Sequence, residues 1–329
     1  MSQAPASPLP CQERRDRNAA EPAGRPAAPG PARAALLPVT RLMRRLPFPA
    51  GPRTRRGGSP LPGLGLTLGV TASFVTLIVL LPLAGLAWQM ARLGPGDYLA
   101  VMTDPRTLAS LRVTIGAAAA ATAVNGVFGL LLAWVIVRYR FPGRALLDAL
   151  VDLPFALPTS VAGIALVALY AEGGWIGDLL APLGIEVAYA WWGIVVAMMF
   201  TSIPFAVRAV QPLVEELDPA EEAAAATLGA RPWQTFLLVT LPHLTPGILT
   251  GTGLSFVRSL GEFGAVIFIA GNLPYETEVA SLLVMIRLDE FDYPAAAAIA
   301  GTLLALSLVL LVLINMGHAR LYRRFERGS

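Results

Sequence analysis

The sequence predicts an all-α, polytopic membrane protein with six transmembrane helices, and two observations carry that prediction. Of 329 residues, 55% are hydrophobic and 14% charged, and the mean hydropathy is +0.61, which is not the balance of a soluble domain. The apolar residues are also gathered into runs of roughly 20, the length an α-helix needs to cross a bilayer.

Residues 1–63 come first, rich in Pro, Ala, Gly and Arg and without a sustained apolar period. Such a segment has too little to bury and is expected to be disordered. Its arginines would suit nucleic acid or anionic lipid. The run lacks interleaved aromatics and ends just before a membrane span, so no nucleic-acid role is assigned. Met43-Arg44-Arg45 offers an alternative start with an ordinary basic flank. No apolar stretch in the first 30 residues suits a cleavable signal peptide.

Six spans follow, at about Leu66–Trp88, Val113–Val137, Leu153–Tyr170, Val187–Val207, Leu244–Ala270 and Pro294–Met316. Arginine placement orients them. The N-terminal segment, the turn with Arg138, Arg140 and Arg144, the central loop with Arg208 and Arg231, and the tail from Arg320 to Arg327 hold most of the 25 basic residues. That side is read as cytoplasmic, with both termini on it. On the far side, Gly173–Ile185 and Val279–Tyr293 are too interrupted to span and are expected at the outer interface. Their acids, including Asp289, Glu290 and Asp292, suit either a solvated rim or contact with a carrier protein.

All 25 basic residues are arginine, so the lysine of a phosphate-binding loop is missing and any ATP chemistry must belong to a partner. One cysteine, Cys11, and two histidines leave no thiol or imidazole cluster for a metal. No cluster of catalytic groups stands out, and the chain is read as a non-catalytic subunit.

The central loop, residues 215–242, is the most informative stretch. Asp218 can cap a helix with Pro219 in its first position and Glu221 as the capping-box acid, followed by Glu222 and four alanines, Ala223 and Ala224 among them. Leu228 closes this helix and Gly229 can take the left-handed turn that ends it. A second helix is expected from Pro232, stopping before Pro242. A short, charged, Ala-rich helix pair between spans has little to bury in lipid and is built to dock on another protein.

Inside the membrane, Arg258 and Glu262 stand four residues apart in the fifth span. Ionisable groups there need a partner or a polar cavity. The spacing suits a self-neutralising structural pair; it equally suits an arginine on the path of an anion, its forked donors held in place by the glutamate. In the third span, Pro154 and Pro158 free backbone carbonyls while Thr159 and Ser160 add hydroxyls, the marks of a broken helix at a gate or of a kinked packing helix. The small residues from Gly116 to Ala123 mean close helix packing.

These motifs together resemble a known family. Gly229, followed nine residues later by Val239-Thr240-Leu241-Pro242, is similar to the cytoplasmic loop of ABC importer permeases, although Ala223 stands where that family has glutamate and Glu222 falls one residue early, about 100° around the helix. Asp152-Leu-Pro-Phe-Ala-Leu-Pro, with Leu260-Gly-Glu-Phe-Gly, resembles the sulfate and molybdate group. The run from Glu262 to Pro274, with Glu278 and Phe291-Asp-Tyr, is nearer the T-type permeases of sulfate/thiosulfate importers than the W-type or molybdate ones. The resemblance, over residues 60–325, implies the ABC importer type I permease fold in a bacterial inner membrane, with residues 64–325 as the permease domain. It further implies a second, W-type permease subunit, a cytoplasmic ATPase dimer and a periplasmic sulfate-binding protein, and no cofactor within the chain. Glu221, Glu222, Ala223, Ala224, Leu228 and Gly229 would dock the ATPase, and Arg258, Glu262, Pro158, Thr159 and Ser160 would lie along the path. A molybdate or tungstate permease would share these features; an ion-coupled secondary transporter would need buried acids in several spans.

Overall fold

In the computed structural model, residues 64–325 are described, and their side chains over 65–317. The disordered segment expected over 1–63, with Met43, lies outside the described residues, as do the side chains of the arginine tail. The chain divides into units Met1–Leu66 and Thr67–Ser329, and the elements that matter below belong to the second.

Helix α1 (Leu64–Val75), a π-helical turn (Thr76–Leu80) and α2 (Leu81–Ala91) run on as one apolar rod. None of the residues in the most apolar window of Gly65–Ala91 is buried. Helix α3 (Pro95–Thr103) is short. Helix α4 (Pro105–Arg138) starts where Asp104 accepts from the Thr107 amide at 3.2 Å, with Pro105 in its first position. The expected small-residue stripe is its packing face: Ala117, Ala118 and Ala121 are fully buried. Helix α8 (Trp191–Glu216) lies so close that a Cβ on Gly129 would fall 2.7 Å from that of Ala206. It runs unbroken through Pro204 and Pro212.

Among the described residues, five helical stretches are long and apolar enough to cross a membrane: Gly65–Ala91, Pro105–Arg138, Thr159–Leu183, Trp191–Glu216 and Tyr293–Gly317. The fifth expected span, Leu244–Ala270, is not among them. Its helix, α11 (Leu241–Leu260), ends at Gly261, and a turn leads to the short α12 (Val266–Ile269). The physical reason lies in its composition, since the Thr-Pro-Gly and Thr-Gly-Thr-Gly stretches dilute its apolar content. Small residues suit its position, packed against α4, α8 and α14 (Tyr293–Phe325).

The third expected span is also divided. Helix α5 (Arg144–Ala156) carries Pro154 inside it and stops at Leu157; α6 (Thr159–Tyr170) starts after Pro158. Pro158 forces its predecessor out of the helical region, and Leu157 is extended at φ −90°, ψ 135°. Of the two segments expected at the outer interface, α7 (Trp175–Leu180) leaves Trp175 and Leu179 exposed, whereas α13 (Ala280–Asp289) buries Ala280, Leu282 and Leu283 and packs on α4 and α14. It is an integral part of the bundle.

Gly163 in α6 is a tight point, because a Cβ there would meet the Ala265 carbonyl oxygen at 2.5 Å. That atom is backbone and cannot swing aside. Gly163→Val should therefore destabilise by about 1–3 kcal/mol, checked as a lowered unfolding midpoint in detergent.

Candidate functional site

The central loop folds much as its sequence spells out. Helix α9 (Pro219–Thr227) opens with the Asp218 carboxylate accepting from the Ala220 amide at 2.8 Å. Glu221 does not close a capping box; its carboxylate is 3.5 Å from His243 Nδ1. Gly229 has φ +85°, and the amides of Gly229 and Ala230 donate back to Ala226 (3.0 Å) and Ala225 (3.1 Å), satisfying the last carbonyls. Ala223, Ala224 and Leu228 are exposed, Leu228 at 89%.

The second loop helix does not stop before Pro242. Helix α10 (Pro232–Thr235) passes through a π turn (Phe236–Thr240) straight into α11, and the Leu241 amide donates to Phe236 O. The wider turn relieves the clash that Pro242 would cause in a regular helix. The same device precedes Pro82, where the Leu81 amide donates to Thr76 O.

Glu222 turns inward. Arg138 Nη2, in the last turn of α4, donates to Glu222 Oε1, and Thr240 Oγ1 reaches the same oxygen at 3.3 Å. The Arg138 guanidinium lies 5.0 Å from the Trp134 ring centroid, and Trp134 packs edge-on against Phe236 at 5.6 Å.

Around the end of α11, the structure brings the two in-membrane groups of candidates together. Arg258 Nη1 is 2.7 Å from Glu262 Oε2, although the helix has already ended between them. Glu262 is buried (1%) while 34% of the Arg258 side chain stays exposed. Glu262 Oε1 accepts from the Ala265 amide at 3.1 Å, and Ser281 Oγ donates to the Glu262 carbonyl at 2.9 Å. Two residues on, Gly264 passes so near α6 that a Cβ would fall 2.1 Å from Thr159 Oγ1 and 3.3 Å from the Ser160 amide. Pro158 and Ser160 are exposed beside this turn.

Three polar clusters went unrecognised in the sequence. Asn125 Nδ2 donates to Ser202 Oγ (2.9 Å) and the Met199 carbonyl (3.1 Å), and Ser255 and Ser259 close on Ser202 at 3.0 and 3.1 Å. All four side chains are buried, knotting α4, α8 and α11. A lone carboxamide in an apolar run was the available signal. Arg106 grips buried Glu278 with two bonds (2.8 and 2.6 Å), and Arg208 bridges Asp148 and Asp152 of α5 at 2.6 Å each. Neither pairing has a local sequence sign.

Residues 125–327 match the family described as binding-protein-dependent transport system inner membrane component. The chain belongs to that family. The match takes in the loop, α11 and both sides of the Arg258 turn, while Arg106 lies before it. This transport component is 57% identical over 264 residues to the sulfate transport system permease protein CysT of Escherichia coli (strain K12), covering 80% of this chain and 95% of that protein. It is 47% identical over 247 residues to the protein of the same name from Synechocystis (75% and 86% covered). A chain of the crystal structure of a bacterial alginate ABC transporter, in complex with an alginate pentasaccharide-bound periplasmic protein, superposes with a TM-score of 0.65 at 19% identity, covering 78% of this chain and 94% of that one. At that identity the likeness concerns the fold, an ABC importer permease fold.

Proposed function

We propose that this chain is one permease subunit of an ATP-driven importer, forming half of a path for sulfate or thiosulfate across a bacterial inner membrane, with both termini cytoplasmic. The observation that carries the reading is the 57% identity to a sulfate transport permease over 95% of that protein's length. Residues 64–325 form the permease domain. Its loop, 215–242, docks a separate ATPase dimer through Glu221, Ala223, Ala224, Leu228 and Gly229, with Glu222 engaged inside the chain. A second, W-type permease completes the path and a periplasmic sulfate-binding protein delivers the anion.

The chemistry of the Arg258 turn supports a place on that path. Glu262 uses one carboxylate oxygen on Arg258 and the other on a backbone amide, so the arginine is aimed while part of it remains accessible. A guanidinium so held offers planar, forked donors that match an oxyanion. Pro158, Thr159 and Ser160 border the same turn, where the divided helix supplies a polar edge. Alternating access would then expose this region to one side at a time.

Uptake of labelled sulfate, thiosulfate and molybdate, in cells lacking their own permease but supplied with the partner subunits, tests the reading. Sulfate and thiosulfate should enter. Entry of molybdate alone would assign the chain to the other oxyanion group.

A further inference from the structure

We propose that Arg138 is a positioning residue that ties the docking helix α9 to the membrane helix α4 through Glu222, so that displacement of one is passed to the other. The inference rests on the reading of the loop as an ATPase-docking element and deepens it. Its starting point is the displaced acid. Glu222 faces about 100° away from the position at Ala223, and there its carboxylate meets Arg138 and Thr240.

Several observations make this more than a surface ion pair. Both side chains are mostly covered, Arg138 at 21% exposure and Glu222 at 31%. Arg138 sits in the last turn of α4, where a cation is favoured by the helix dipole, and its guanidinium rests on the Trp134 ring. Trp134 meets Phe236 of the π turn, and Thr240 of that turn reaches Glu222. Three segments, the end of α4, the start of α9 and the π turn, thus close around one carboxylate. Glu221, beside it, approaches His243, giving α9 a second hold on the start of α11. The remaining face of α9, with Ala223 and Ala224, is exposed, as is Leu228 just after it.

The test uses the assembled complex in proteoliposomes, read as ATP hydrolysed per sulfate moved, with retention of the ATPase on purification. Arg138→Ala and Glu222→Ala should each keep the ATPase bound and raise ATP consumed per sulfate by about five-fold or more, the scale of a single contacting pair. Arg138→Lys, which keeps the charge, should lie between these variants and the natural chain. Pairing Arg138→Glu with Glu222→Arg should recover part of the lost coupling at unchanged abundance, whereas a merely structural pair would alter abundance and thermal stability and leave the ATP-per-sulfate ratio alone. Two results would overturn the tie: an unchanged ratio in both alanine variants, or release of the ATPase by Glu222→Ala alone, which would place that carboxylate on the partner. Failure of the docking reading would look different, since Ala224→Trp would then leave ATPase retention and uptake untouched.

Discussion

Ala224→Trp should abolish sulfate uptake while leaving the bundle folded. Ala224 is exposed on α9, so enlarging it should change stability by no more than about 0.5 kcal/mol, the usual range for a surface site. Its cost falls on the interface. If the alanine face enters a groove on the ATPase, an indole cannot follow at the same separation, and each 1.4 kcal/mol of lost contact lowers association about tenfold. Gly229→Val makes the complementary change. With φ at +85°, a β-branched residue there costs about 1–2 kcal/mol locally and loosens the turn after α9. Both variants should reach the membrane at normal abundance, lose the ATPase on purification and take up at least tenfold less sulfate. Normal uptake by Ala224→Trp would remove α9 as the docking element.

The second large effect concerns Arg258 and Glu262, whose unequal burial makes the single variants unequal. Arg258→Met strands a carboxylate that is 1% exposed and should cost about 3–5 kcal/mol, enough to threaten assembly. Glu262→Gln leaves a guanidinium that is one-third exposed and still keeps the acceptor for the Ala265 amide, so its cost should be smaller. Combining the two changes removes the charge imbalance and should restore folding. On the proposed path the double variant nonetheless fails to move sulfate, because the forked donor has gone, and Arg258→Lys transports only weakly. Measuring uptake and thermal stability side by side separates the possibilities. Near-normal uptake by a folded double variant would leave Arg258 as a packing residue.

What was legible in the sequence follows the range of the interactions involved. Asp218, Gly229 and Pro158 act on backbone within a few residues of themselves, and the cap, the left-handed turn and the helix break all stand where those residues put them. Pro242 misled because a proline normally ends a helix, whereas the π turn before it gives the ring room. The pairing of Arg258 with Glu262 was legible from spacing, although the helix stops between them. Leu244–Ala270 was overextended as a span, since a run of apolar character does not reveal the Gly261 cap inside it. Glu222 with Arg138, Glu278 with Arg106 and the Asn125 knot depend on which helices become neighbours, information that no local pattern contains.

The unbroken passage from α10 through the π turn into α11 has a mechanical consequence. From Pro232 to Leu260 the chain is helical throughout, about 40 Å at the rise of a helix. Its lower end stands beside the exposed alanine face, and its upper end carries Arg258. A continuous helical strut of this kind turns or slides largely as a whole, so on the proposed docking a push at its Pro232 end is carried toward the guanidinium. The π turn adds one point of slack, where a surplus residue can be taken up or let out without breaking the strut. If the ATPase docks as proposed, its push at that foot would reach the arginine along this one helix.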